Sequence, residues 1–214
     1  MCGINERHPD RIGKITSSRI KEILGAFKEP TKYAESNKDK AGQIKYPGGW
    51  SVGARTYARE LAMARLGYVA EDVSTWAMMW GNQWEPVSRE SYAKKFNRTV
   101  TDEQFVSYNE FIGSTPDGFI DDDGIFETKC LQMAGHLKAF EQPDPDHVLQ
   151  VQHQLFVTGR KWADLVYFHP EAPTKATMRK VWRIVPDLVL HAQFLDDSVI
   201  FEELVKEYVK LYKD

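Results

Sequence analysis

Cysteine is scarce: Cys2 and Cys130 are the two thiols in 214 residues. A disulfide framework is therefore not expected, and a reducing, cytoplasmic setting is. Long apolar runs are missing as well, since nowhere do about 18 consecutive apolar residues occur. The opening MCGINERHPD lacks the apolar core of a secretory signal, so neither export nor a membrane span is expected. Excess positive charge is also absent, with 28 Lys and Arg against 31 Asp and Glu and a net charge of -3. Bulk electrostatic coating of nucleic acid is disfavoured, whereas a protein that encloses its partner needs only a locally basic lining. There is no internal repeat, no low-complexity tract, and no zinc spacing among the six histidines. What is present, 42% hydrophobic residues with 12% aromatic, fits one globular domain over residues 1–214.

The densest run of chemistry is Gly113 to Lys129, GSTPDGFIDDDGIFETK. Asp123-Gly124 predicts a tight turn between two short antiparallel strands. Strand side chains alternate, so Ile125, Glu127 and Lys129 share one face and Phe126, Thr128 and Cys130 the other. Asp117, near the start of the partner strand, can approach Glu127 across the hairpin. Two carboxylates and an ammonium then converge, and hard oxygen donors of that kind suit Mg²⁺ or Mn²⁺. The chemistry this permits is metal-assisted phosphodiester hydrolysis, with Lys129 orienting water or helping to form hydroxide. The same spacing also fits a surface hairpin whose Glu–Lys pair contributes only about 0–1 kcal/mol.

Along the rest of the chain, Ile20, Ile23, Leu24 and Phe27 have helical spacing behind a cap at Ser17 or Ser18. Such a start, with Arg11 nearby, predicts an anion site. Lys28 to Trp50 is polar and lysine-rich, with five lysines, Lys28, Lys32, Lys38, Lys40 and Lys45, against three acids, Glu29, Glu35 and Asp39, a local net of +2, and predicts a long loop or arch. A helix follows from Gly53 to Leu66, capped by Gly67. Next, Trp76, Met79, Trp80 and Trp84 form a near-helical stripe that predicts core packing. Met78 also reads as core, and an interior Pro86 predicts a kink just after Glu85. Strands are expected within Thr99 to Ile112, broken near Asp102 and Glu103, and at Ala163 to His169 and Ala176 to Val185. Helices are expected at His136 to Glu141, His147 to Thr158, and after Pro186-Asp187.

Pro116-Asp117 followed by Glu127-Thr128-Lys129 resembles the PD-(D/E)xK nuclease signature. RIGKITSS from Arg11, WGNQWE from Trp80, STPDG from Ser114, ETKC from Glu127 and LQVQHQLFVTGRKWA from Leu149 extend the likeness. Together, from about Arg11 to Pro170, they resemble the phage lambda exonuclease family of recombination nucleases. The resemblance implies an α/β fold, a central mixed β-sheet flanked by helices with a restriction-endonuclease-like core. It implies catalytic Asp117, Glu127, Lys129, Gln150 and Glu85, metal contacts at Asp117, Glu127 and Thr128, and a 5′-phosphate pocket of Arg11, Ser18 and Thr115. It places a strand-separating wedge at Met78. It further implies Mg²⁺ with Mn²⁺ as a substitute, 5′-phosphorylated linear duplex DNA as substrate, a homotrimeric ring, a single-strand annealing partner, and a phage or prophage protein acting in the cytoplasm of a bacterial host.

Two other readings stay open on the residues. One is an endonuclease of the same fold, although its iron–sulfur branch needs four cysteines. The other is a non-catalytic DNA-end binding protein, which would retain binding without hydrolysis.

Overall fold

The computed structural model describes residues 8–28, 31–32, 36, 42–46, 49–68, 75–102 and 104–213. A 3₁₀ turn at Pro9–Arg11 leads to β1 (Ile15–Thr16) and a 3₁₀ helix at Ser17–Glu22. Then come β2 (Phe27–Lys28), β3 (Thr31–Lys32), β4 (Ile44–Tyr46), β5 (Gly49–Trp50), α1 (Val52–Arg65) and α2 (Trp76–Phe96). The strands β6 (Val106–Ser107), β7 (Ile112–Ser114), β8 (Gly118–Ile120) and β9 (Gly124–Lys129) follow. The chain closes with α3 (Met133–Glu141), α4 (Pro145–Thr158), β10 (Trp162–Phe168), β11 (Arg179–Ile184) and α5 (Leu188–Lys213).

Two sheets carry the architecture. The larger is mixed, ordered β11-β10-β9-β8, with β9 and β10 parallel and the outer pairs antiparallel. Parallel neighbours need a crossover, and α3 with α4 supplies it. The smaller sheet is β1-β7-β6, in which β1 runs parallel to β7 with Ile15 opposite Ile112 and Thr16 opposite Gly113. Helix α4 packs against β10, β7 and the 3₁₀ helix, so it joins the two sheets. The mixed α/β class expected from the sequence is the one observed.

β9 alternates as its pattern dictates. Ile125 packs with Leu165, Tyr167, Val151 and Leu155 beneath α4, while Phe126 packs with Ile120, Val166 and Tyr92 beneath α2. Burying each of these apolar side chains contributes about 1.5–3 kcal/mol. A third cluster joins α1, α5 and the N-terminal segment through Ile20, Ile23, Tyr57, Phe194 and Phe201. Part-buried Arg65 holds this layer with a double hydrogen bond to buried Glu202, at 2.7 and 2.8 Å, and a third to the Gly13 carbonyl.

Several local expectations need correction. The hairpin turns through Asp121–Asp123, with Asp121 in the left-handed region at φ 47, and Gly124 is already the first residue of β9. Gly124 is instead a packing requirement, because a Cβ there would lie 2.3 Å from the Trp162 ring. The segment from Ser17 forms a six-residue 3₁₀ helix rather than a longer α-helix. Its cap position is Thr16, with no side-chain cap bond, and Gly25 at φ +59 ends the run. So short a helix has no developed dipole, and the anion site expected at its start loses that support.

The described part of the expected arch contains two short ladders, β2 with β5 and β3 with β4. Glu29, Glu35, Lys38, Asp39, Lys40 and Glu103 lie outside the described residues. Pro86, expected to kink its helix, sits inside one continuous 21-residue helix. The stripe expected as core is also corrected: Trp76 is 55% exposed and Met79 52%, with Trp80 and Trp84 part-buried. Only the second half of α2 meets the sheet, through Ser88 and Tyr92, so the first half leaves Trp76 and Met79 at the surface. There Trp76 stacks on Trp80 at 5.3 Å.

Helix ends follow their sequence signals. Ser51 accepts from Ala54 N–H at the start of α1. Gly67, at φ +91, ends α1 with its N–H on Ala64 and the Tyr68 N–H on Met63, a Schellman closure. Asp187 caps α5 by accepting from Val189 and Leu190. No helix among the described residues is long and apolar enough to cross a membrane.

Candidate active site

β9 ends where the β8 ladder has already stopped at Gly118 opposite Phe126. That leaves the last residues of β9 with one open edge, and Asp117 fills it: its carboxylate accepts the Thr128 N–H at 2.7 Å. Since N–H and C=O of one strand residue point to the same side, the Thr128 carbonyl also faces Asp117. The Thr128 hydroxyl points the other way, donating to the Val166 carbonyl and meeting Ser88 of α2 at 2.7 Å. Only the main chain of Thr128 is therefore placed to contact a metal.

Glu127 points beneath α4 and is fully buried. A buried carboxylate is costly unless its oxygens are paired. Lys129 Nζ donates to Oε1 at 2.6 Å and Gln150 Nε2 to the same oxygen at 2.7 Å. Gln154 Nε2 donates to Oε2 at 2.6 Å. Gln150 Oε1 accepts from Lys129 Nζ at 3.1 Å, closing a ring of three side chains. The i, i+4 spacing of Gln150 and Gln154 on α4 lets two amides reach one carboxylate from consecutive turns.

Glu85 comes from the opposite wall, on α2, where Arg89 bonds it at 3.2 Å and also pairs with Asp102. Burial first, and then the Glu127 and Glu85 carboxylates, raise the Asp117 carboxyl well above the ordinary range. Burial opposes the Lys129 ammonium, yet Glu127 and Asp117 outweigh it and hold its pKa above the usual lysine value. Cys130 lines the same space, and burial pushes its thiol up to about 12, so it is a neutral wall and not a thiolate.

One cavity of about 360 Å³ brings together all ten site residues named from the sequence: Arg11, Ser18, Met78, Glu85, Thr115, Asp117, Glu127, Thr128, Lys129 and Gln150. Arg11 donates to Thr115 Oγ1 at 2.8 Å. Met78 is half-exposed at the cavity edge, so the core role expected for it does not hold. Among the described residues, no three His, Cys, Asp or Glu side chains converge closely enough to ligate an ion by themselves. The donor chemistry nevertheless fits a hard divalent cation. Three mutually repelling carboxylates and a main-chain carbonyl face one volume, and Mg²⁺ characteristically takes one or two carboxylates and keeps waters for the rest.

Sequence reasoning missed Gln154, Ser88 and the buried group behind the pocket, Ser17, Ser114 and His153. The signal for Gln154 was its i+4 relation to Gln150 inside an apolar helix; the others carry no signal separable from ordinary caps and strand ends.

Comparison with known proteins sets this site in context. The backbone matches an alkaline exonuclease (LHK-Exo) from Laribacter hongkongensis with a TM-score of 0.77 at 25% identity, covering 95% of this chain and 93% of that one. LHK-Exo in complex with dAMP matches over the same shares with a TM-score of 0.76. A phage related exonuclease from Haemophilus somnus 129PT shares the fold, at 16% identity and a TM-score of 0.69 over 94% of this chain and 95% of that one. No curated protein matches the chain. The model of the YqaJ-like viral recombinase domain matches residues 8–161, most of the chain, and the protein belongs to that family.

Proposed function

We propose that the protein is a Mg²⁺-dependent nuclease, with Mn²⁺ as a substitute, that digests one strand of linear duplex DNA from a phosphorylated 5′ end. It releases mononucleotides and leaves 3′ single-stranded tails for recombination by strand annealing. The observation that carries this reading is the single cavity shared by the acidic cluster, Lys129 and the Arg11–Thr115 pair. The likeness to an alkaline exonuclease over nearly the whole chain supports the same class.

In this reading Asp117, Glu127, Glu85 and the Thr128 carbonyl hold the cation. A divalent cation bound there supplies polarisation of the phosphoryl oxygen and a more acidic water. Glu127 and Gln150 occupy two of the three N–H donors of Lys129, leaving the third for the attacking water or the phosphate. Arg11, Ser18 and Thr115 grip the terminal phosphate with charge-assisted hydrogen bonds. Met78, at the cavity edge, wedges the strands apart. The chain acts as one domain in a homotrimeric ring in the bacterial cytoplasm, passing its product to an annealing protein. Apolar side chains left exposed on α2 and α5, among them Trp76, Met79, Val199 and Ile200, support burial against another copy.

The test is digestion of end-labelled linear duplex with Mg²⁺ or EDTA, beside a covalently closed circle, for wild type and Lys129→Ala, with the mass of the native particle measured by sedimentation. Wild type should release mononucleotides from the linear duplex in Mg²⁺ alone and sediment as three copies of the 24.6 kDa chain. Lys129→Ala should lose roughly 10²–10⁴-fold in rate. Cleavage of the circle would sink the exonuclease reading in favour of an endonuclease, and end binding without hydrolysis would leave a non-catalytic binding protein.

A further inference from the structure

From Ser17 in the wall of the cavity, a buried chain of three polar side chains that no step of hydrolysis uses runs behind the proposed phosphate pocket. Ser17 Oγ donates to Ser114 Oγ at 2.6 Å and meets His153 Nδ1 at 2.8 Å. Ser114 and His153 are fully buried and Ser17 is 4% exposed. Because the Ser17 proton is directed to Ser114, His153 must present Nδ1–H to Ser17 Oγ, which fixes its tautomer. Its Nε2 then carries only a lone pair, and among the described residues no partner reaches that atom. The ring packs edge-on against Phe194 at 5.2 Å and near Phe156. Burial holds His153 neutral, with a pKa lowered to about 3.

The position of this chain gives it a role. β1 and β7 run parallel with Thr16 opposite Gly113, so Ser17 and Ser114 are the next pair in register, just beyond the ladder. The residues after them, Ser18 and Thr115, turn outward and line the cavity with Arg11. His153 lies on α4, three residues past Gln150 and one before Gln154, both of which bond Glu127. A single polar chain thus ties the two segments that follow β1 and β7, which bear the phosphate-gripping hydroxyls, to the helix that sets the Glu127 carboxylate.

We infer that His153, acting through Ser17 and Ser114, is a positioning residue that sets the spacing of Ser18 and Thr115 and thereby the preference for a phosphorylated 5′ end. The inference rests on the nuclease reading above. Removing the Nδ1 donor loosens the Ser17–Ser114 pair and lets the two hydroxyls drift. The carboxylate cluster keeps its own bonds, so loss falls on recognition of the end more than on the chemical step.

The experiment compares kcat and KM on linear duplex with a 5′ phosphate and with a 5′ hydroxyl. The variants are His153→Phe, which keeps the ring packing without the donor, and His153→Asn, whose amide restores a donor near Nδ1. The preference for phosphate should fall about tenfold in His153→Phe, chiefly through KM, as expected for one hydrogen bond lost at a buried site. His153→Asn should recover most of it. An unchanged preference in a folded His153→Phe, or equal loss on both ends, overturns the inference. If His153→Phe does not fold, Ser17→Ala and Ser114→Ala cut the same chain with a smaller volume change, and an unchanged preference in both overturns it equally. Absence of hydrolysis or of any phosphate preference in wild type would instead count against the nuclease reading.

Discussion

Glu127 shows how one residue organises its neighbours. Its two oxygens receive three donors from Lys129, Gln150 and Gln154 while the side chain has no contact with solvent. Gln154 serves Oε2 alone, so Gln154→Leu leaves that oxygen buried without a partner. The expected cost is about 1–3 kcal/mol in urea unfolding, since a stranded buried acceptor loses its hydration without compensation. Hydrolysis should fall with it, because the carboxylate would swing from its place. A variant as stable as wild type would show that water replaces the amide. Glu127 and Lys129 were legible from their spacing on one strand, and Asp117 from its place across the hairpin. The burial that makes Gln154 necessary was not, because it arises when α4 closes over β9 from 20 or more positions along the chain.

At the scale of elements, the hairpin β8–β9 was legible, but its turn chemistry was assigned to the wrong residue. Asp-Gly is a strong local turn signal, yet the chain turns one step earlier, with Asp121 taking the positive φ and bonding Arg98. Arg160 covers the turn by donating to the Asp121 and Gly124 carbonyls and stacking over Phe119. Gly124 is left without a Cβ because the Trp162 ring, itself under the Arg183 guanidinium at 3.8 Å, lies across it. Gly124→Ala should therefore destabilise by about 1–3 kcal/mol through overpacking rather than through backbone strain. Thermal unfolding of Gly124→Ala beside Gly124→Ala/Trp162→Leu tests this: the second change should recover part of the loss. If it does not, the glycine matters for its backbone. Helix α2 makes the converse point. Its aromatic spacing is that of a core helix, but only one half reaches a sheet, and no local pattern marks which half.

For the whole molecule, stability should depend on pH through buried histidines. Burial lowers His136, His147, His153 and His191 below the ordinary value, His153 to about 3. A folded pKa below the unfolded one means that the unfolded chain binds the proton first. The contribution is complete above about pH 6.5 and is lost as pH falls from there toward 3. For His153 this amounts to about 2 kcal/mol between pH 6.5 and 5, at 1.36 kcal/mol per unit. Asp117, whose carboxyl is raised, works in the opposite sense, so the useful measurement is a difference. Urea midpoints of wild type and His153→Phe between pH 7.5 and 5 should diverge, with the shallower dependence in the variant. Parallel slopes would mean that His153 is not buried as a neutral ring.

By itself the sequence determined the α/β class, the strand carrying Glu127 and Lys129 and most helix boundaries, because alternation, caps and a short acidic motif are local properties of a chain; the other site residues among the cavity's lining were read through the family resemblance. It also determined the family, since the matching motifs keep their order from the first 3₁₀ turn to β10. Only the tertiary structure decided that Ser17, Ser114 and His153 form one buried chain, that Trp76 and Met79 of α2 lie at the surface, and that Gly124 is a packing site. Each of these depends on which surfaces meet, and residues 97 and 136 positions apart acquire a hydrogen bond only once α4 has been laid between the two sheets.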